Sequence, residues 1–361
     1  MLLKFNWIKF ISGYLGFSTP SYVILFPTAR CNMSCKMCYY WKNIQNAKVN
    51  DELTLMEIDS ISKSFGSIIN LAIGGGEPFI RKDIEQICYL FYKNAKARFI
   101  NIPTNASFPN QISEKVESIL KLCPKAQLVI ELSLDGIGLD HDSIRQHKGA
   151  FEKLKQTSLA LNKLKSRYPL LHIKISSVFN GLNQEKVDDL FNHVKENFEF
   201  DDYDISLIHD NPEPKDIQSK NYLLLNFKKI LKRVEDFTRK NTTTLFGKML
   251  FIIRQLTNQD ILRVAEGLKI TSPCTAIRNL VVISENGDVF PCETLNENLG
   301  NLRSFDYDIK KILRSSRTKQ VNEKYRIRKD CSCNWGCAIF NNKLYDPKVI
   351  PKILWKLISS R

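Results

Sequence analysis

Short apolar runs typical of β-strands alternate with amphipathic segments along the first 210 residues. The runs lack strict alternation of apolar and polar positions, which suits strands covered by helices. They begin near Tyr22, Ile69, Arg98, Leu128, Leu171 and Tyr203. Between them apolar residues recur at three- and four-residue spacing, as at Ile58, Ile61 and Phe65. Six strand-then-helix units predict a parallel α/β architecture, and this pattern alone does not separate a barrel from an open sheet.

Two of the predicted helices have recognisable starts. The segment at 54–57, TLME, is a capping box in which Thr54 and Glu57 satisfy the first backbone groups of a helix. Asn183 is a favourable N-cap for the helix that follows the fifth strand.

The pattern changes after residue 210. Residues 211–270 contain long basic helical segments without a strand signal, and Asn286-Gly287 marks a tight hairpin between two β-prone runs. The predicted organisation is an N-terminal amphipathic segment at 1–19, an α/β unit at 20–210, a helical connector at 211–270, a small α+β domain at 271–345 and a basic amphipathic C-terminal segment at 346–361.

Composition places the chain among ordinary globular proteins. Hydrophobic residues make up 43% and charged residues 25% of its 361 residues, which excludes collagen-like and low-complexity classes. The formal net charge of +15 favours anionic partners, although a solvated basic surface also accounts for it. The ten cysteines fall mainly in two tight groups, which indicates metal sites rather than a disulfide scaffold. We therefore predict a cytoplasmic protein.

Both ends of the chain are basic and apolar. The uncharged stretch from Phe10 to Ala29 is interrupted by glycines and prolines, so we predict no transmembrane segment. The first segment and the C-terminal VIPKILWKLISSR favour amphipathic helices. Two interpretations stay open: peripheral contact with a membrane surface, or packing on the protein's own core.

The first group of cysteines carries the clearest chemistry. Cys31, Cys35 and Cys38 follow the first predicted strand with three and then two residues between them. Three thiolates can hold three irons of a 4Fe-4S cluster and leave the fourth iron without a protein ligand. Zinc would need a fourth ligand nearby, and no histidine precedes His141.

This arrangement resembles the radical S-adenosylmethionine (radical SAM) superfamily, whose Cys-x3-Cys-x2-Cys loop follows the first strand of a barrel. Three further motifs match at predicted strand ends: Gly74 to Pro78 (GGGEP), Asn101 to Asn105 (NIPTN) and Ser133 to Gly136 (SLDG). The resemblance covers about residues 20–210 and implies a partial (β/α)6 TIM-type barrel. Ligands of such barrels bind at the carboxyl ends of the strands, where all four motifs fall.

The resemblance also implies a set of cofactor-binding residues. Gly75, Gly76 and Glu77 correspond to the motif that contacts the amino group of SAM. Weaker candidates for ribose or carboxylate contacts are Thr104, Asn105, Ser133 and Asp135. No residue is assigned a catalytic role.

Arg145 is a candidate partner for the SAM carboxylate through charge-assisted hydrogen bonds, and a surface ion pair is the equally weighted alternative. His141 and His147 flank it in a predicted exposed loop. The residues from Tyr39 to Trp41 would shield the cluster or stack on adenine, unless they belong to the core.

The C-terminal cysteines resemble the SPASM/twitch type of auxiliary cluster domain. Twelve residues separate Cys274 from Gly287, and four separate Gly287 from Cys292. A full SPASM domain needs seven cysteines for two clusters, whereas five imply one auxiliary 4Fe-4S cluster. The implied ligands are Cys274, Cys292, Cys333 and Cys337, with Cys331 as the competing choice. A structural zinc site is the alternative.

The resemblance implies an enzyme that reductively cleaves SAM to a 5′-deoxyadenosyl radical and abstracts hydrogen from a substrate that the sequence does not identify. The auxiliary cluster would transfer electrons or bind substrate, and a flavodoxin or ferredoxin would serve as the low-potential electron donor.

A peptide-modifying maturase is the first alternative function. Only thirty residues precede Cys31, so it would need a separate recognition partner. The second alternative, a zinc-bearing nucleic-acid-binding protein, leaves the glycine-rich and SLDG motifs unexplained.

Overall fold

The computed structural model describes residues 6–15, 19–209, 214–270, 272–326, 331 and 333–359. Its nine strands within these ranges are β1 (Tyr22–Leu25), β2 (Asn70–Ile73), β3 (Phe99–Thr104), β4 (Gln127–Ser133), β5 (Leu171–Phe179), β6 (Asp202–Leu207), β7 (Leu280–Ile283), β8 (Asp288–Phe290) and β9 (Gly300–Asn301). The first six begin within one residue of the positions predicted from the apolar runs, which confirms that prediction.

The helices of the first two hundred residues are α1 (Trp7–Tyr14), α2 (Trp41–Gln45), α3 (Leu55–Ser64), α4 (Ile84–Asn94), α5 (Pro109–Leu122), α6 (Leu139–Arg145), α7 (Ala150–Lys165) and α8 (Val187–Asn197). The later ones are α9 (Leu224–Asn241), α10 (Leu245–Ala265), α11 (Ile309–Arg314), α12 (Ser316–Arg326), α13 (Gly336–Leu344) and α14 (Val349–Ser359). Among the described helices, none is both long enough and apolar enough to cross a membrane.

The strands form one sheet in the order β6-β5-β4-β3-β2-β1-β7-β8-β9. The strands β1 to β6 are parallel to their neighbours, and helices connect them, as a partial (β/α)6 barrel requires. The predicted fold class is therefore confirmed. Because the strands are parallel, their carboxyl ends and the loops that follow them lie at the same edge.

The apolar runs predicted strands without strict alternation, but the observed burial along several strands does alternate. In β3, β4, β5 and β6, buried residues alternate strictly with half-buried ones. The buried side packs under the helices, and the half-buried side faces the interior of the barrel, which we call the bore. This interior is polar, so the strands keep a period of two although both faces are covered.

The helix starts give one confirmation and one correction. Thr54 caps α3 in a complete capping box with Glu57, as predicted. Asn183 does not cap α8, whose N-cap is Lys186. Instead its side-chain oxygen accepts a hydrogen bond from Asn180 N at 3.0 Å, and its amide donates to Asp135 O at 3.2 Å. It fixes a turn that precedes the helix.

The C-terminal residues extend the barrel sheet directly. Strand β7 pairs in parallel with β1, and β8 returns antiparallel to β7 after the turn at Asn286 and Gly287, which confirms the predicted hairpin. Gly287 adopts a positive φ of 88°, a conformation that glycine tolerates. On the same side, Lys343 of α13 pairs with Asp260 of α10 at 2.6 Å, and both side chains are buried.

Candidate functional site

The loop after β1 carries three free thiols, those of Cys31, Cys35 and Cys38. Cys31 Sγ accepts hydrogen bonds from Met33 N at 3.4 Å and from Asn105 Nδ2 at 3.9 Å. Cys35 Sγ accepts one from an Arg145 guanidinium nitrogen at 3.7 Å. Hydrogen bonds and positive charge at sulfur stabilise thiolates and tune iron-sulfur clusters.

These thiols suit a cluster that displaces their protons. Burial, with a smaller contribution from the like charge of Cys35, raises the pKa values of Cys31 and Cys38 to about 12. Metal binding therefore releases protons here. Among the described residues no group of three or more His, Cys, Asp or Glu could hold a single metal ion. In a cubane cluster, by contrast, each thiolate binds a different iron.

The glycine-rich loop after β2 packs against the backbone of the cysteine loop. Gly76 N donates to Thr28 O and Glu77 N donates to Arg30 O, both at 2.9 Å. A Cβ at Gly76 would lie 2.1 Å from Arg30 O, closer than any real contact. The glycine is therefore required for the close approach of two loops, a role that the sequence did not assign to it.

Glu77 is buried, and its carboxylate connects this loop to the end of β3. It accepts hydrogen bonds from Asn105 N at 2.7 Å, Thr104 Oγ1 at 2.9 Å and Phe79 N at 3.1 Å. Burial raises its pKa to about 7, and the three donors limit that rise. Thr104 and Asn105, predicted as cofactor contacts, thus hold Glu77 in place, while the Asn105 amide also reaches Cys31.

Arg145 and Asp135 form a buried ion pair at 2.5 Å beside Cys35. Asp135 Oδ1 also accepts from Val178 N at 2.7 Å. The surface ion pair weighed as the alternative for Arg145 is therefore wrong. Among the described residues, Arg145 Nε is buried without a hydrogen-bond acceptor, so this donor remains available to a ligand.

His141 corrects another expectation. It lies fully buried on α6 rather than in an exposed loop, and its Nδ1 accepts a hydrogen bond from Asp135 N at 3.2 Å. Burial lowers its pKa to about 3, so the ring stays neutral beside Arg145.

A buried charge network beneath the cysteine loop was missed by sequence reasoning. Glu52 accepts from Thr28 Oγ1 at 2.5 Å and pairs with Arg30 at 2.8 Å and Arg81 at 3.2 Å. Arg81 also donates to Pro27 O at 2.9 Å. Its position four residues after Glu77 was the available signal, but the pairing with Glu52 follows only from the fold.

The bore contains a cavity of about 540 Å³, lined by charged side chains of the strands and by apolar side chains of α10 and α13. At its centre, Lys174 of β5 lies 3.3 Å from Glu131 of β4 and 3.1 Å from Asp204 of β6. Arg254 of α10 pairs with Asp202 at 2.7 Å. Burial alone would raise the pKa of Asp204, but Lys174 and then Arg254 outweigh it and hold that pKa below its usual value.

A polar group of the bore lacks a hydrogen-bond partner within the described part of the chain, and a serine lies at the carboxyl end of β4 above it. Asn101 donates to Glu131 at 3.2 Å, but its Oδ1 is buried without a partner among the described residues. Ser133 ends β4 on the same face as Glu131, in register with Ser176 of β5. This position fits the predicted contact of Ser133 with a cofactor at the mouth of the barrel.

An aromatic wall joins the cysteine loop to the bore. The Tyr39 ring packs edge-on against Trp335 at 4.9 Å between centroids, and His209 stacks on Trp335 at 3.9 Å. Burial lowers the pKa of His209 to about 4. Tyr40 donates to Glu285 at 2.7 Å and so holds the turn of the C-terminal hairpin against the cysteine loop.

The C-terminal cysteines lie in several environments. Cys292 packs in the same apolar cluster as Cys38, and burial, with a smaller contribution from nearby Cys274, raises the Cys292 pKa to about 11. Cys333 is buried and its sulfur accepts a hydrogen bond from Trp335 N at 3.3 Å. Cys331 is half-buried against the main core.

Cys337 lines the bore. Its side chain is accessible to the cavity, yet protein surrounds it, and this burial raises its pKa to about 12 with a further contribution from Glu293. The choice of four ligands among these cysteines stays a prediction.

Comparison with known proteins agrees with this fold and these motifs. The sequence model of the radical SAM superfamily matches residues 25–194, and that of the SPASM iron-sulfur cluster-binding domain matches residues 274–338. Together they cover more than half of the chain. The chain belongs to the radical SAM superfamily and carries a C-terminal SPASM domain. This membership implies the cofactors predicted from the sequence, 4Fe-4S clusters and SAM.

Curated relatives match about half of the chain. GTP 3′,8-cyclase of Clostridium botulinum is 26% identical over 181 residues, which is 48% of this chain and 53% of that protein. The sporulation killing factor maturation protein SkfB of Bacillus subtilis is 23% identical over 50% of this chain and 41% of that protein. The chain thus spans about half the length of these relatives.

Solved structures share the fold over most of the chain. The structure of anSMEcpe with bound AdoMet has a TM-score of 0.58 at 19% identity, covering 93% of this chain and 94% of that one. Streptococcus suis SuiB bound to its precursor peptide SuiA has a TM-score of 0.57 at 17% identity, covering 86% and 69%.

Proposed function

We propose that the chain is a radical SAM enzyme whose cluster is held by Cys31, Cys35 and Cys38. When bound, the cluster and SAM supply a 5′-deoxyadenosyl radical by one-electron reductive cleavage, and this radical abstracts hydrogen from a substrate. The observation that carries the proposal is the convergence of three free thiols with a buried guanidinium whose Nε has no acceptor among the described residues.

Different residues around the cluster would contact the carboxylate and the amino group of SAM. Arg145 Nε would donate to the SAM carboxylate, and Asp135 fixes the guanidinium in the orientation that this contact needs. The backbone of Gly75 and Gly76 would approach the amino group, because the loop has no side chains at these positions. Glu77 acts as a positioning residue for that loop.

We place the substrate in the bore below the aromatic wall. Four carboxylates, those of Glu131, Asp201, Asp202 and Asp204, line the bore together with two cations, Lys174 and Arg254, and each cation is already paired. Asn101 Oδ1 can accept a hydrogen bond from a substrate, because it has no donor among the described residues. These groups favour a substrate that carries hydroxyl, amide or amine donors over a phosphorylated one.

The SPASM domain would hold one auxiliary cluster through Cys274, Cys292, Cys333 and Cys337, with Cys331 as the competing ligand. Cys292 and Cys38 border the same apolar cluster, so this cluster connects the auxiliary site to the first cluster site. This proximity supports electron transfer. In the reducing cytoplasm a flavodoxin or ferredoxin would supply the electron.

The test is anaerobic reconstitution, with iron and sulfide counts, followed by dithionite and SAM and chromatography for 5′-deoxyadenosine. Two clusters correspond to about eight irons per chain. We expect Cys35→Ala to lose about half of the iron and all 5′-deoxyadenosine. The matched control is Cys88→Ala, since this buried cysteine lies on α4 in the core. Bound zinc without SAM cleavage would overturn the proposal.

A peptide substrate is the second candidate, favoured by the likeness to SkfB and by the shared fold of SuiB, which is solved with its precursor peptide. A peptide backbone offers the N–H donors that the bore accepts. Incubation of the reconstituted protein with SAM, dithionite and a mixed peptide library would detect it as a mass change that requires SAM. Turnover of a non-peptide metabolite with no such change would exclude it.

A further inference from the structure

Two helices from opposite ends of the chain expose large apolar side chains. On α1 the exposed fractions are 85% for Ile8 and 54% for Ile11. On α14 they are 51% for Ile350, 56% for Leu354 and 68% for Trp355. Single exposed apolar residues are ordinary, but rows at helical spacing on two helices are not.

The fold brings these helices to the same end of the barrel. Phe10 of α1 stacks on Tyr345 with ring centroids 5.0 Å apart, and α14 begins four residues after Tyr345. The Tyr345 hydroxyl lies 2.6 Å from Ser21 Oγ, just before β1. The cysteine loop follows the other end of β1. We call the exposed side of α1 and α14 the terminal apolar face.

The inner sides of both helices are anchored, so the outer side is a fixed surface. Val349 and Ile353 of α14 pack with Ile252 and Leu256 of α10. On α1, Lys9 is buried and its Nζ donates to Thr19 O at 2.6 Å.

Neither α1 nor α14 contains an acidic residue. No Asp or Glu occurs before Asp51, and none follows Asp346. Lys348 and Lys352 are exposed beside the apolar row of α14. Lys310 of α11 is exposed and close enough to Lys9 to lower the pKa of that buried amine, which burial has already reduced. The basic charge at this face therefore comes from these exposed lysines.

We propose that the terminal apolar face docks on an anionic lipid bilayer. Helices with an apolar outer side, a tryptophan and flanking lysines lie in the membrane interface, where the apolar side enters the acyl boundary and the lysines meet anionic headgroups. Because this face lies at the opposite end of β1 from the cysteine loop, docking leaves the mouth of the barrel open to the aqueous side. The proposal does not depend on the proposed function.

The experiment is co-sedimentation of the full chain with vesicles of phosphatidylcholine, or of equal parts phosphatidylcholine and phosphatidylglycerol. We expect binding to the anionic vesicles, weakened by salt. Leu354→Ser combined with Trp355→Ser should weaken it by about tenfold or more. Both side chains are exposed, so iron content after reconstitution should not change. The matched control is Leu159→Ser, whose side chain is 64% exposed on α7.

Three outcomes would overturn the proposal. In the first, the full chain stays in the supernatant with anionic vesicles. In the second, sedimentation velocity without lipid shows a dimer that the Leu354→Ser and Trp355→Ser changes abolish, which would assign the face to a second copy of this chain. Equal binding of the double variant and the wild type would also contradict it, because lysines alone would then account for the affinity.

Discussion

Gly76 shows how little room the cluster site leaves at a single residue. Gly76→Ala would place a methyl group 2.1 Å from Arg30 O, a backbone atom that cannot move without shifting the cysteine loop. We expect a loss of about 1–3 kcal/mol of unfolding free energy and a lower iron content after reconstitution. Urea unfolding and iron counts measure both effects.

Gly336→Ala is the control for that substitution. The nearest neighbour of its added methyl group would be Ile261 Cδ1 at 4.0 Å, an ordinary contact. Its stability and iron content should match the wild type. If Gly76→Ala matched it as well, the close packing of the two loops would not be needed for the site.

The buried pair of Arg145 and Asp135 allows a second test at the residue scale. Arg145→Met leaves the Asp135 carboxylate without its charge partner in a buried position, which costs about 3–5 kcal/mol. Adding Asp135→Asn should recover part of this loss, because the uncompensated charge disappears. The measurement is a double-mutant cycle of unfolding free energies. Simple addition of the two single losses would show that the residues do not interact.

At the scale of elements, Glu57 connects α3 to the C-terminal residues. Its carboxylate pairs with Arg303 at 2.7 Å and completes the capping box with Thr54. Hydrogen bonding from Arg303 is the main cause that lowers the pKa of Glu57 to about 2. The folded pKa is below the unfolded value near 4.5, so the stabilisation is complete above that value and is lost as the pH falls towards 2.

Glu57→Gln isolates the charge, since glutamine also serves in a capping box. We expect a loss of about 1 kcal/mol at neutral pH that shrinks steadily as the pH falls below 4.5. Urea unfolding of the cluster-free protein between pH 7 and pH 3 measures it, because low pH would release iron. A difference that is constant with pH would mean that the lost contact is not ionic.

The elements also show which features a sequence reveals. The six strand starts and the α3 capping box depend on local periodicity and on side chains three residues apart, so they were predictable. The capping role given to Asn183 was wrong, because its Oδ1, the atom that a cap would use, accepts a hydrogen bond from Asn180 N, while the distant backbone of Asp135 accepts one from its amide. The network of Glu52, Arg30 and Arg81 was missed for the same reason: its partners lie more than twenty residues apart.

At the candidate site too, features set by local motif spacing were predictable and features set by distant contacts were not. Motif spacing located the cysteine loop and the glycine-rich loop at one edge of the sheet, and the fold places them in contact. Burial could not be read from spacing, so Arg145 was weighed as a surface residue and His141 as a loop residue. The bore was not predicted either, because its charges belong to separate strands, with Glu131, Lys174 and Asp204 about thirty to forty residues apart.

At the scale of the whole molecule, the SPASM residues complete the barrel sheet. Strand β7 covers the edge of β1, and Trp335 closes the aromatic wall against Tyr39. The buried pair of Lys343 and Asp260 joins α13 to α10. Substrate space is therefore formed by both parts of the chain together, and we expect the two parts to depend on one another for stability.

This dependence predicts a single unfolding transition for the cluster-free protein. Far-UV circular dichroism reports all helices and strands, whereas three of the four tryptophans, Trp7, Trp335 and Trp355, lie in the terminal and C-terminal elements. If the sheet unfolds as a unit, both signals will change at the same urea concentration. A fragment of residues 1–270 should aggregate, because removing β7 leaves one edge of the apolar strand β1 unpaired. Two separate transitions, or a monomeric fragment 1–270 that unfolds cooperatively, would show that the barrel is stable without the SPASM residues.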